Sequence, residues 1–426
     1  MPLPMRDALL TPPPMLPTNG GVRVLITGAT GLLGRQVLPV FESRGWDVRG
    51  LGLARASGRF VRCDLLNAFE LEVQFQEFKP DIVIHCAAER RPDVLEEDRA
   101  YATKINVDLT REIGRLCKSQ GAWLIYISTN YVFDGKNAPY AEDAAPCPVN
   151  TYGESKLAGE KALEEVHPDA ATLRVPLLYG PIEYLGETSV TALLNTIRKK
   201  DPPPKLDNWQ ERFPTCVEDV AQVLEVFCSA YATRGKANPE AFRGVFHWQA
   251  NTMHTKYTIA LVIAEIACID PSGFVRVDDA PAPGTAPRPQ FEFMKCNRLE
   301  ALLRQHGVRD VESCRCDFKA KLEEHLQPFL SPRRSLCFPY VGGATHRSSK
   351  KAAFCMSSTA SFLVVLAYHL LCVRFAESPA CEATSPLPLA MITGLVVFAL
   401  HMAVARPIRS MVNTNRIHST AGQARV

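Results

Sequence analysis

From residue 22 onward, short apolar runs alternate with longer amphipathic stretches. Val22-Arg-Val-Leu-Ile is apolar and rich in β-branched residues. It passes through Thr27-Gly-Ala-Thr-Gly-Leu-Leu-Gly34 into RQVLPVFESRG, whose apolar positions recur at helical spacing. This order predicts strand, tight turn and helix. Further strands are predicted at Trp46–Leu53, Phe60–Cys63, Asp81–His85 and Ala122–Ser128, with helices at Ala68–Phe78 and Asn106–Ser119. Near-continuous apolar strands separated by helices of this length imply a parallel sheet covered on both faces. The expected class is α/β, with a Rossmann-type doubly wound parallel sheet over residues 22–179.

From about residue 180 the alternation weakens, and proline interrupts the chain at Pro202–Pro204 and Pro281–Pro289. A smaller second lobe is expected over 180–330, partly returning to the sheet, with a helix at Val217–Ala230, a strand at Gly244–Trp248 and a helix at Thr255–Ala267. Residues 1–21 are proline-rich and lack the basic and apolar regions of a signal peptide, so a disordered leader is expected. Past residue 330 lie two uncharged stretches, 352–373 and 383–405, each reaching the roughly 20 residues that span a bilayer. They read as a helical hairpin with both ends cytosolic, because Arg347, Lys350, Lys351, Arg406 and Arg409 all lie outside it. The competing reading is an extension with no functional history. His369, His401, Pro386 and Pro388 favour that reading.

Charge narrows the function classes. With 48 basic against 45 acidic residues, the chain lacks the footprint of a nucleic-acid binder. Residues 331–426 carry ten basic side chains against Glu377 and Glu382, a net +8, which leaves residues 1–330 at −5 of the total +3. Fourteen cysteines without an even framework, several of them in apolar runs, point to a reducing, cytoplasmic setting. Cys314-x-Cys316 has the wrong spacing for a zinc knuckle, and no HxxxH or HExxH pair occurs, so no metal is expected.

The turn after the first strand has the glycine pattern of a dinucleotide site. Gly28 suits the turn conformation, Gly31 admits a pyrophosphate, and Gly34 allows helix and strand to pack closely; the helix N-terminus then offers N–H groups and a positive dipole end. After the second strand the chain reads Gly50-Leu-Gly-Leu-Ala-Arg55, with no acid for a ribose 2′-hydroxyl. Arg55 suits a 2′-phosphate and points to NADP; the bland alternative is an ordinary surface arginine. Tyr152 and Lys156 stand at i,i+4 on one helical face, where a neighbouring ammonium is expected to lower the phenol pKa. Thr129, at a strand end, is the expected third polar member of the group, against a capping role for Ser128 and Thr129.

From the glycine loop through ISTNYVFDG and TYGESKLAGE to about residue 330, the chain resembles extended short-chain reductases of the dTDP-4-dehydrorhamnose reductase type. Within that group, HCAAERRPDV, YVFDGKNAPY, RFPTCVEDVA, GVFHWQANTMHTKY and RPQFEFMKCNRLE resemble the regulatory β subunits of methionine adenosyltransferases. The resemblance implies a non-catalytic subunit that binds NADP and a catalytic subunit making S-adenosylmethionine. Its alternative is an NADPH-dependent reductase of a nucleotide-4-keto-sugar using Thr129, Tyr152 and Lys156. It implies cofactor contacts from Thr27, Gly28, Thr30, Gly31, Leu32, Leu33 and Gly34, and from Leu53, Ala54 and Arg55 beside the adenosine phosphate. Asp64, Leu65, Cys86, Ala87, Arg90, Tyr152, Lys156 and Leu178 would complete the cleft. For Cys86 the alternative is strand packing, and for Arg90 and Arg91 a solvated pair. The chain departs from the pattern at Asn130, where the reductases carry an acid, and at Ala54, where the β subunits carry a basic residue. It departs again after Pro328-Phe329-Leu330, where it lacks the family's short basic-aromatic docking tail.

Overall fold

In the computed structural model, residues 21–330 are described except 200, 236 and 282–285. The element order is β1 (Arg23–Thr27), α1 (Gly34–Ser43), β2 (Asp47–Gly52), β3 (Phe60–Arg62), α2 (Ala68–Phe78) and β4 (Ile82–His85). Next come α3 (Pro92–Glu97), α4 (Arg99–Thr103), α5 (Leu109–Gln120), β5 (Trp123–Thr129), α6 (Thr151–Val166) and β6 (Ala171–Val175). The remainder is β7 (Leu178–Tyr179), α7 (Leu193–Arg198), β8 (Lys205–Asp207), β9 (Thr215–Cys216), α8 (Val217–Arg234), β10 (Gly244–His247), α9 (Lys256–Ala267), β11 (Val275–Val277), α10 (Asn297–Gln305) and α11 (Phe318–Leu326).

Seven parallel strands form the main sheet in the order β10-β6-β5-β4-β1-β2-β3. The apolar runs behave as a two-sided sheet requires. Along β1, Val24 and Ile26 enter one core while Leu25 enters the other, and Ile82/Ile84 against Val83 on β4 repeat the split. Trp123 and Ile125 likewise oppose Leu124 and Tyr126 on β5. One core includes side chains of α1 and α8, the other those of α2 and α5. Each fully buried aliphatic or aromatic side chain contributes roughly 1.5–3 kcal/mol. Chain order reverses between β1 and β4, and such a switch point opens a crevice at the carboxyl ends of parallel strands.

The expected helix beginning at Asn106 is preceded by a widened turn of π type over Lys104–Asp108, and regular α5 begins at Leu109. Asn106 is buried there and donates to Ser155 Oγ at 3.0 Å and to the Glu89 carbonyl at 3.2 Å. The second lobe carries two small parallel pairs, β7–β9 and β8–β11. Its own apolar cluster includes Tyr179, Leu194, Ile263 and Leu322. Strand β10 leaves that region to pair with β6 in the main sheet.

No helix among the described residues is long and apolar enough to cross a membrane. Residues 1–20 of the expected leader 1–21, and the windows 352–373 and 383–405, lie outside the described residues.

Candidate functional site

The β1–α1 turn is built by steric exclusion. Gly28 has φ +65°, and a Cβ there would stand 2.7 Å from the Ala87 amide nitrogen. A Cβ on Gly34 would stand 2.5 Å from the Gly28 carbonyl oxygen and 2.6 Å from Ala29 Cα, so the third glycine is where helix meets strand. The Gly31 amide donates to the Gly28 carbonyl at 2.9 Å and closes the turn. The α1 N-terminus has neither a side-chain cap nor an acidic residue in its first turn. The amides of Arg35, Gln36 and Val37 donate to the Gly31 and Leu33 carbonyls, so α1 offers an anion its positive dipole end and the amides that precede Arg35. Thr27 lies beneath the loop, fully buried, with Oγ1 2.7 Å from His85 Nδ1. Burial drives the His85 imidazole down to about 3, so this ring is neutral.

A cavity of about 470 Å³ opens over the carboxyl ends of β1, β4 and β5. Gly28, Gly31, Leu32, Leu33, Gly34, Cys86, Arg90, Thr129, Tyr152, Lys156 and Leu178 line it, which brings together most of the residues expected from sequence. Thr27, Thr30, Leu53, Ala54, Arg55, Asp64, Leu65 and Ala87 do not line it. Thr30 packs under Gly52, and Leu53 to Arg55 follow the end of β2. Asp64 and Leu65 follow β3, where Asp64 Oδ1 accepts from the Leu66 amide at 3.0 Å. Arg55 is held by two carboxylates of the second lobe, Glu183 at 2.7 Å and Glu187 at 2.9 Å. Glu187 also pairs with Arg35 at 2.8 Å, and its carbonyl accepts from Arg90. Burial alone would raise the Glu187 carboxyl, but hydrogen bonds from Arg35, Glu183 and Arg55 bring it down to about 2.

Tyr152 and Lys156 share the cavity, as their spacing requires, but the expected fall in the phenol pKa does not occur. Burial pushes the Tyr152 phenol up to about 12, against a smaller opposing bond from Thr129. Lys156, the expected source of the fall, is buried as well. Its Nζ donates to the Ile127 carbonyl at 2.8 Å and sits 3.9 Å over the Tyr126 ring. Burial lowers its ammonium to about 7, with Glu160 opposing, so the positive charge meant to stabilise a phenolate is itself half lost near neutrality. Burial likewise pushes the Cys86 thiol up to about 12.

Asn130, where the reductase pattern has an acid, donates from Nδ2 to Glu292 Oε2 at 2.6 Å. Gln210 donates to the other oxygen of the same buried carboxylate. Burial raises the Glu292 carboxyl to about 7, with Arg212 opposing. An acid at 130 would face a second carboxylate, whereas an amide satisfies it.

The second lobe supplies a wall that side-chain reasoning on the sequence missed: Ser189, Arg212, Lys256, Arg288 and Glu292. Arg212 is buried and paired with Asp207 at 2.8 Å. Its run RFPTCVEDVA and the run RPQFEFMKCNRLE, which contains Arg288 and Glu292, had marked the resemblance without any role for these side chains.

Residues 22–320 match the family described as RmlD substrate binding domain. The chain is 40% identical to methionine adenosyltransferase 2 subunit beta of Xenopus tropicalis over 74% of this chain and 91% of that one. It is 41% identical to the Bos taurus protein of the same name over 73% and 89%. A dTDP-4-dehydrorhamnose reductase of Streptomyces griseus is 30% identical over 66% and 87%. Among solved structures, a dTDP-4-dehydrorhamnose reductase of Clostridium acetobutylicum superposes with TM-score 0.57 at 25% identity, over 72% of this chain and 99% of that one. The Bacillus anthracis reductase in complex with NADP gives 0.55 at 25% identity, over 69% and 98%.

Proposed function

Because the chain belongs to the RmlD substrate-binding-domain family and, within it, to the methionine adenosyltransferase 2 β subunits, we propose that it is a non-catalytic regulatory subunit. It holds NADP in the cleft and binds the catalytic subunit of a methionine adenosyltransferase. One observation carries the reading: identity near 40% runs over about nine tenths of the relatives' length and so includes the second lobe, which a dinucleotide does not constrain.

The site's chemistry supports it. A reductase needs a proton donor poised near neutral pH, and here the phenol is pushed up while its lysine partner is half neutral. If NADP binds, the N-terminal end of α1 takes the pyrophosphate. Tyr152, Lys156 and Thr129 then contact the nicotinamide half, and Arg55 takes the 2′-phosphate. That last contact requires exchange of Glu183 for phosphate on a guanidinium, a like-for-like replacement of one anion by another. When bound, NADP stabilises the folded subunit by mass action.

The Streptomyces relative and the cavity position of Thr129, Tyr152 and Lys156 favour one second reading, NADPH-dependent reduction of a nucleotide-4-keto-sugar. Two assays on the full chain separate the two. Co-purification with a catalytic methionine adenosyltransferase subunit in NADP, without NADPH consumption on a panel of nucleotide-4-keto-sugars, is expected. Turnover of NADPH without complex formation would replace the regulatory reading with the enzymatic one.

A further inference from the structure

Away from the cleft, two cysteines, two carboxylates and a histidine converge between the start of α8 and α11. The donor atoms of Cys216, Asp219 and Cys316 all lie within 4.8 Å of one another, and so do those of Cys216, Glu218 and His325. Cys216, Asp219 and His325 are buried. We propose that Cys216, Cys316, Asp219 and His325 form a structural zinc site that ties the C-terminal helix of the second lobe to the start of α8.

Zinc holds sulfur at about 2.3 Å and nitrogen or oxygen at about 2.0–2.2 Å in a tetrahedron, so neighbouring donors stand somewhat under 4 Å apart; within Cys216, Asp219 and Cys316 only a small contraction is needed, and His325, which shares Cys216 as its neighbour, swings in as the fourth donor. The Cys316 amide donates to Asp219 Oδ2 at 2.7 Å, which fixes this carboxylate beside the second thiol. Tyr179 Oη lies 3.4 Å from Cys316 Sγ. His325 Nε2 lies 2.8 Å from Glu218 Oε2, and its buried Nδ1 has no hydrogen-bond partner among the described residues. A carboxylate on one ring nitrogen with the other left open is the usual setting of a metal-bound imidazole. Lys321 Nζ, 3.3 Å from Glu218 Oε1, counters the charge of Glu218 and leaves it to orient His325 rather than to bind the ion. The bond with Cys316, then burial and the two carboxylates, push the Cys216 thiol well above its ordinary value. A divalent cation relieves that arrangement by replacing protons: two S–H bonds are lost, two Zn–S bonds form, and two protons leave. Sequence spacing could not reveal such a site, since Cys216 and Cys316 are a hundred residues apart and the adjacent Cys314 is not one of the donors.

The test uses the full chain, freed of metal by chelation under reductant and titrated with Co²⁺ and then Zn²⁺. Saturation near one Co²⁺ per chain is expected, with thiolate-to-cobalt charge transfer and the visible bands of a tetrahedral site. Zn²⁺ should displace the cobalt, release about two protons per ion and raise Tm. Cys216→Ser and Cys316→Ser should each abolish the charge-transfer band, His325→Ala should weaken Co²⁺ at least about tenfold, and Cys147→Ser, at an exposed thiol, should change nothing. Far-UV circular dichroism and a cooperative unfolding transition report whether each variant is folded, so failure of the metal site is separable from failure of the cofactor reading. Absence of a saturable band in folded wild type, or its survival in both cysteine variants, overturns the proposal. So does finding Cys216 and Cys316 joined as a disulfide that excludes cobalt until reduced and gives no band afterwards.

Discussion

The two walls of the cleft are made by different means. On the β1–α1 side, recognition is built from backbone: Gly28 and Gly34 leave no room for a Cβ, and the helix N-terminus has no side-chain cap. On the second-lobe side it is built from buried charged and polar groups, Glu292 bonded to Asn130 and Gln210, and Arg212 bonded to Asp207. The first wall is rigid because anything larger than hydrogen collides. The second holds its shape only while every partner is present and correctly charged, since a buried polar network is stable when satisfied and costly when it is not.

The most severe way to break this comparison is on the backbone side. Gly28→Ala should weaken dinucleotide binding at least about a hundredfold, close to 3 kcal/mol, measured by calorimetry, because the new Cβ meets backbone that cannot yield. Equal binding by this variant would mean that the loop is not the pyrophosphate site.

The next effect tests the charged side through pH. The Glu292 carboxyl is raised to about 7 in the folded state, above its unfolded value near 4.5, so the stability linked to its proton is full below pH 4.5 and is lost as pH rises through 7. Glu292→Gln keeps the shape and removes the proton. Relative to wild type, the variant should gain about 2 kcal/mol between pH 5 and 8, read from denaturant unfolding at each pH. A pH-independent difference would show that Glu292 is ionised throughout.

A smaller effect is expected at the seam between the walls. Arg55→Ala should weaken NADP about tenfold and leave NAD unchanged, sharpening the assignment of Arg55 to a 2′-phosphate. Equal losses for both cofactors would instead make Arg55 a bridge to Glu183 and Glu187 only. Smallest of all, Tyr152→Phe should alter NADP affinity and complex formation less than about threefold, because the phenol stays protonated across the physiological range. A loss of bound catalytic subunit in this variant would tie the phenol to assembly.

How much was legible follows from the same contrast. Six of the seven main-sheet strands were readable because a doubly covered sheet demands unbroken apolar runs such as VLI and IVI, and the glycine loop because its constraints are local to eight residues; β6 (Ala171–Val175) was missed, its run broken by Thr172 and Arg174. Helix Ala68–Phe78 was readable to the residue, with Asn67 capping it by accepting from Phe69 and Glu70. The short pairs β7–β9 and β8–β11 carry no periodicity over two or three residues and were not found. Arg212, Lys256 and Arg288 look like surface charges until the second lobe folds over the sheet. The phenol pKa was misjudged because i,i+4 spacing fixes which face a lysine occupies, while its burial, which lowers its own charge, depends on the rest of the fold.

The seventh strand carries a consequence for how this chain reaches its native state. β10 is formed by residues 244–247 yet is the outermost strand of the sheet, beside β6, so the nucleotide half alone ends on β6, a strand buried in the native sheet. During synthesis, everything up to β6 emerges with an unpaired parallel edge, and pairing waits until some seventy further residues have left the ribosome. Long-range parallel pairing of this kind raises contact order and slows folding. A chain interrupted between the two lobes would leave β6 as its edge strand. It would expose a sticky β-edge of the kind that recruits other chains into aggregates.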